Sequence, residues 1–136
     1  VPGTVVSRND AQLAAEVSGK IDWIAEIGAV INKGEPVATI QDAIYRLQEK
    51  EYSGVLAREQ NRVAFLDREV QRLSQLAAEN ITAKNLLDET ETDLAQARNE
   101  VLVAESRLRQ AQIQLSRARI EAPFSGIVTE RIVNLG

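Results

Sequence analysis

Apolar residues recur at steps of three and four through most of the chain, from about residue 42 to about residue 119. This spacing predicts an amphipathic helix, and over many turns it predicts the seam of a coiled coil. No Gly or Pro interrupts the pattern between Gly54 and Pro123. The seam residues that carry it are Leu56, Val63, Leu66, Val70, Leu73, Leu87, Leu94, Val101 and Leu108.

The two halves of this pattern match each other in reverse order. If the numbers of facing residues sum to 160, Leu73 meets Leu87, and further pairs along the seam keep the same sum. A constant sum is what an antiparallel hairpin of two helices requires. We therefore expect helices over about 42–79 and 82–119, joined at Asn80, a residue that tolerates the left-handed backbone at which many helices end.

Short β-leaning runs flank the helical region on both sides. Before it they cover residues 5–6, 14–17, 21–24 and 37–40, and after it residues 126–128 and 131–133. Glycine and proline separate these runs, as is typical of turns between strands. The flanks therefore predict a small β structure.

The two flanks also resemble each other. Residues 18–28 and 125–136 both begin with Ser-Gly, continue with an apolar run and end at Gly. The first copy continues through residues 29–40, whereas the second stops at its Gly, so we expect its closing strand to lie outside this chain. The predicted class is α+β, with a helical hairpin inserted into a small β-sandwich or barrel. Its expected parts are residues 1–41 (first β half), 42–120 (hairpin) and 121–136 (second β half, truncated).

Composition narrows the range of functions. The net charge of −4, from 20 acidic against 16 basic residues, argues against a nucleic-acid partner. The chain contains no Cys and no His, so a thiolate nucleophile, a disulfide and the commonest general base are all excluded. No glycine-rich phosphate loop is present either. We therefore expect no enzyme, and the start at Val1 favours a piece of a longer protein.

Two half-motifs in the flanks resemble biotinyl/lipoyl domains. Residues 28–37, Gly-Ala-Val-Ile-Asn-Lys-Gly-Glu-Pro-Val, resemble the turn of those domains, with Ala29 in place of the usual acid. Residues 122–128, Ala-Pro-Phe-Ser-Gly-Ile-Val, resemble their entry strand. A helical hairpin between these halves resembles the periplasmic adaptor proteins, also called membrane fusion proteins or the HlyD-like family.

This resemblance implies a role in efflux and multidrug resistance. Adaptors of this family bridge an inner-membrane transporter, of the RND or ABC type, and a TolC-type outer-membrane channel in the Gram-negative periplasm. They form a ring, commonly a hexamer, on a parent chain anchored to the inner membrane. The hairpin tip docks on the channel through the motif R-x3-L-x6-S, whose first two members match Arg72 and Leu76. The third position falls on Ala83, with Thr82 one residue early.

Other interpretations of these residues stay open at this point. Arg72 is also an ordinary solvated charge, Leu76 an edge residue of the seam, and Thr82 a good N-cap for the second helix. The efflux adaptor with an RND transporter is our first expectation. An adaptor of an ABC transporter or type I secretion system, and a coiled-coil scaffold without a transport role, are the alternatives. A biotin or lipoate carrier needs a lysine between the β halves, where neither Lys20 nor Lys33 lies, so no cofactor is expected.

Overall fold

The computed structural model describes residues 3–4 and 9–133. The described chain divides into two compact units, a β unit with residues up to 41 and from 117 onward, and a helical unit with residues 42–116. The predicted α+β fold with a helical hairpin between two β segments is confirmed. In chain order the elements are β1 (Ile21–Ile24), β2 (Val30–Ile31), β3 (Pro36–Ile40), α1 (Ala43–Ala77), α2 (Ile81–Arg117), β4 (Arg119–Glu121) and β5 (Gly126–Ile127).

Two small antiparallel sheets form the β unit. In one, β3 lies between β1 and β4, and in the other β2 pairs with β5. Each sheet therefore combines strands from before and after the helical insertion. The buried core between them consists of Ala25, Ile31 and Ala122, with Ala29, Val37 and Val128 packed against it.

The two half-motifs of the sequence are hydrogen-bonded to each other. The Gly28 N–H donates to the Val128 carbonyl at 2.7 Å, and the Gly34 N–H donates to the Ala122 carbonyl at 2.9 Å. Both glycines have a positive φ, 90° and 85° respectively. Because side chains strain that backbone conformation, glycine is the favoured residue at both positions. The β unit thus depends on backbone contacts between segments about ninety residues apart in sequence.

Three details of the flanks differ from the sequence prediction. Residues 14–17 and 131–133 form no strand, since a short run is stable as a strand only beside a partner and no described strand pairs with them. The second helix ends at Arg117 instead of residue 119, and β4 follows at once. Pairing of β4 with β3 stabilises the extended backbone that replaces the last helical turn. The β-leaning run at residues 5–6 lies outside the described residues.

In the helical unit, α1 and α2 pack along the apolar seam. Leu66 of α1 forms a buried cluster with Leu94 and Ala97 of α2, and Val63 and Val70 pack against it. An ion pair between Arg98 Nη2 and Asp67 Oδ1, at 3.2 Å, joins the two helices beside this cluster. The nine seam residues named from the sequence are all buried or half-buried.

One seam position of α1 carries an acid. Glu59 lies three residues after Leu56 and four before Val63, so it shares their face of the helix. Its side chain is only 12% exposed, whereas its ion-pair partner Arg58, at 2.9 Å, is 73% exposed. A charged residue in a coiled-coil seam costs stability and restricts how the helices pair.

Candidate docking tip of the hairpin

The turn of the hairpin is closed by an asparagine cap. Asn80 Oδ1 accepts hydrogen bonds from the backbone N–H groups of Thr82 at 2.9 Å and Ala83 at 3.3 Å. Asn80 is therefore the N-cap of α2, and the prediction that Thr82 caps this helix is wrong. The expected left-handed conformation of Asn80 is also absent, because no described non-glycine residue has a positive φ. An amide side chain that satisfies two free N–H groups explains why Asn suits this place.

Arg72 lies on the outer flank of α1 and is exposed to solvent. Its Nη2 donates to Glu69 Oε2 at 2.8 Å and its Nε donates to Glu69 Oε1 at 3.4 Å. The hydrogen bond and charge of Glu69 raise the pKa of Arg72, and the hydrogen bond from Arg72 lowers the pKa of Glu69. The other edge of the guanidinium, including Nη1, stays available to a partner, since a guanidinium carries five N–H donors.

Leu76 follows Arg72 by about one helical turn on the same flank and is 50% exposed. Thr82 is also exposed, whereas Ala83 is buried at 8% exposure. Of the two candidates for the third tip position, only Thr82 therefore presents its side chain to solvent. Arg72 and Leu76 share one face of α1, and Thr82 lies in the first turn of α2.

Sequence reasoning missed Phe65 of α1, which is large, apolar and exposed. Ile81 and Leu86 in the first turns of α2 are exposed as well. The position of Phe65 outside the seam spacing is the signal that could have identified it. The Glu69–Arg72 ion pair was also missed, although acid and base three residues apart on a helix are an expected pair.

Metal sites, carrier lysines and membrane-spanning helices each place their own requirements on the described residues. Its described residues contain no group of three or more acidic, His or Cys side chains arranged to hold a metal ion. Lys33 lies in the turn between β2 and β3, where its backbone N–H donates to Ser125 Oγ at 2.9 Å. Among the described helices, none combines the length and the apolar character needed to cross a membrane.

Sequence comparison relates nearly the whole chain to multidrug resistance proteins. It is 27% identical over 135 residues to the multidrug resistance protein MdtA of Salmonella heidelberg, which covers 98% of this chain and 33% of that protein. MdtA of Escherichia coli strain 55989 is 25% identical over the same length. The chain thus spans about a third of these curated relatives. No protein-family model matches the sequence.

Solved structures share the fold. A MacA–MexA chimera that contains the Pseudomonas aeruginosa MexA α-hairpin domain has a TM-score of 0.70 and 25% identity, over 95% of this chain and 42% of the chimera. The membrane fusion protein Spr0693 of Streptococcus pneumoniae R6 has a TM-score of 0.64 and 24% identity, over 87% of this chain and 48% of that one. Sequence and fold together confirm the predicted resemblance: this chain is similar in sequence to multidrug resistance proteins and shares the fold of a membrane fusion protein.

Proposed function

We propose that this chain is the hairpin-bearing part of a periplasmic adaptor in a tripartite efflux pump. In this proposal the parent protein is anchored to the inner membrane, partners an RND transporter and forms a ring, a hexamer by analogy with the family. The hairpin tip docks on a TolC-type outer-membrane channel through Arg72, Leu76 and Thr82. The multidrug resistance relatives support drugs as the exported class.

This proposal rests on the position of Arg72 and Leu76, which lie together on one exposed face of α1 beside the turn. Seam residues of α1 are buried or half-buried, but these two are exposed, one turn apart, three to seven residues from the turn. A partner helix could pack an apolar side chain against the exposed leucine. It could also accept charge-assisted hydrogen bonds from the free N–H groups of the guanidinium. The hairpin is also long, about 53 Å for the 35 residues of α1 at 1.5 Å per residue.

An adaptor for an ABC transporter or type I secretion system is the closest alternative, because the same tip serves either transporter class. In this proposal the tip residues contact only the channel, so they do not separate the two transporter classes. A coiled-coil scaffold without a transport role predicts no affinity for an outer-membrane channel. The channel-binding experiment therefore separates the adaptor proposals from the scaffold.

The test is a pull-down and crosslinking assay of the chain with a TolC-type channel, comparing wild type with Arg72→Asp. We expect the charge reversal to weaken binding by roughly 10-fold or more, as for a central interface arginine. Arg109→Asp is the control: Arg109 is an exposed arginine of α2, it makes no ion pair within the described chain, and it lies far along the helix from the turn.

A second pair of variants tests the apolar part of the tip. Leu76→Ala is expected to weaken channel binding severalfold, whereas Leu102→Ala, at an equally exposed leucine of α2, leaves it unchanged. Equal binding by wild type and Arg72→Asp contradicts the tip assignment. Absence of binding by the wild-type chain contradicts the adaptor role itself.

A further inference from the structure

The outer flank of α1 carries a second pattern of threes and fours. Phe65, Glu69, Arg72 and Leu76 follow each other at steps of four, three and four, which places them on one face of the helix. We call these four residues the flank stripe. Its two ends are apolar and exposed, Phe65 at 54% and Leu76 at 50%, and its centre is the Glu69–Arg72 ion pair.

The flank stripe is complementary to itself when reversed. The spacing is the same in both directions, and reversal places an apolar end on an apolar end and an acid on a base. If the numbers of facing residues sum to 141, Phe65 meets Leu76 of a second copy and Glu69 meets Arg72 of that copy. Steps of three and four are also the spacing by which one helix packs on another in a coiled coil.

One charged residue beyond each end of the stripe fits the same antiparallel pairing. With the same sum of 141, Arg62 meets Glu79 of the second copy. Both residues are exposed, and neither makes an ion pair with any residue that the structure describes. An antiparallel second copy would thus pair two charges that have no ionic partner among the described residues of their own chain.

From this complementarity we propose that the flank stripe binds a second copy of this chain, with the two α1 helices antiparallel and related by a two-fold axis near residues 70 and 71. A two-fold contact uses the same patch on both copies, so every pair occurs twice. The stripe, from residue 65 to residue 76, covers about 18 Å of helix at 1.5 Å per residue. So small a patch predicts weak, concentration-dependent association.

Self-pairing and channel docking compete for the same residues. Arg72 and Leu76 are members of the flank stripe and also of the proposed docking tip, so a hairpin paired with its copy has its tip covered. This antiparallel pair differs from a ring, in which neighbouring hairpins point the same way. The inference stands on the stripe itself and does not require the channel-docking proposal.

The experiment is a charge exchange followed by sedimentation velocity on the 136-residue chain. Arg72→Glu leaves acids at both central positions, and Glu69→Arg leaves bases at both. Because the two-fold axis doubles each change, either variant alone should self-associate about tenfold or more weakly than wild type. An equimolar mixture of the two should associate at least as tightly as wild type, since every central pair is then attractive.

The mixture separates a contact between copies from an effect within one helix. A variant that merely disturbs α1 keeps its defect in the mixture, whereas a variant that fails only in pairing recovers. Circular dichroism shows whether each variant keeps its helix, and Arg109→Glu, at an exposed arginine of α2, serves as a charge control off the stripe. Higher ionic strength should weaken the wild-type pair.

Two results would overturn the proposal: a monomeric wild-type chain at millimolar concentration, or a mixture that associates no better than its components. Neither result affects the channel-docking proposal, which the pull-down with Arg72→Asp tests separately. If instead the channel assay fails while the mixture associates, the stripe is a self-contact alone.

Discussion

Replacing Glu59 by Leu should stabilise the hairpin, because it removes a charge from an apolar seam. The Glu59 side chain is 12% exposed and lies in register with Leu56 and Val63. Its carboxylate is hydrogen-bonded by Arg58, whose Nε and Nη2 both donate to Glu59 Oε1, at 3.0 and 2.9 Å. The native seam therefore holds a largely dehydrated carboxylate with one solvent-exposed partner.

The size of the effect follows from three contributions. Burying a leucine side chain contributes about 1.5–3 kcal/mol, less roughly 10–40% for apolar surface that is already covered in the unfolded chain. Losing the ion pair with Arg58 costs about 0.2–1 kcal/mol, since that arginine is exposed. Leucine and glutamate have similar helix propensities, so the helix itself is unaffected. The expected gain in the free energy of unfolding is about 1–2 kcal/mol.

The assay is thermal and urea unfolding followed by circular dichroism at a helical wavelength. A gain of about 1 kcal/mol raises Tm by roughly 4–8 °C for a unit of 60–100 residues. Glu51→Leu is the control, because Glu51 lies on the same helix but is exposed, and the change there is expected within about 0.5 kcal/mol. Sedimentation must show that the variant has not changed its association state. An unchanged or lower Tm for Glu59→Leu would refute the reasoning, because the carboxylate would then contribute more than a surface ion pair does.

Three further changes test the backbone and the electrostatics. Gly54→Ala should raise stability by about 0.5–1 kcal/mol, because Gly54 lies within α1 and a Cβ there has open space around it. Gly34→Ala meets the same open space but a φ of +85°, so it should lower stability by about 1–2 kcal/mol, measured by urea unfolding with Trp23 fluorescence. The amides of Asn32 lower the pKa of Glu35, so the stability that this carboxylate contributes is present at neutral pH and is lost as the pH falls through its folded pKa. Glu35→Gln should therefore make the Trp23-monitored stability less sensitive to acid, and an unchanged acid profile would contradict the assigned hydrogen bonds.

The helical hairpin could be predicted from sequence because burial in a two-helix seam is periodic. One apolar stripe per helix is enough to identify the elements and their antiparallel pairing, and Leu66 beside Leu94 and Ala97 is the kind of contact it requires. The turn was less predictable, since Asn80, Thr82 and their neighbours offer several caps of similar quality. The structure selects Asn80, whose side chain reaches two N–H groups at once.

The β unit shows a different limit of sequence reasoning. Its strands are two to five residues long, too short for a periodic signal, and β4 lies where the helical pattern was still expected. What stabilises it is pairing between distant segments, such as the Gly34 N–H with the Ala122 carbonyl. Local propensity carries no information about such a partner, and the half-motifs indicated it only through their resemblance to a known domain.

The Glu69–Arg72 ion pair lies beside the proposed docking tip and inside the flank stripe, so the two proposals use it differently. An exposed pair on one helix contributes little to stability. It fixes one edge of the guanidinium and leaves the other edge free, beside the exposed Leu76. Channel docking needs that free edge of Arg72, whereas pairing with a second copy needs the charge of Glu69 as well. Glu69→Gln should therefore weaken self-association while channel binding stays within about threefold of wild type, and an equal loss of both would mean that Glu69 acts only by positioning Arg72.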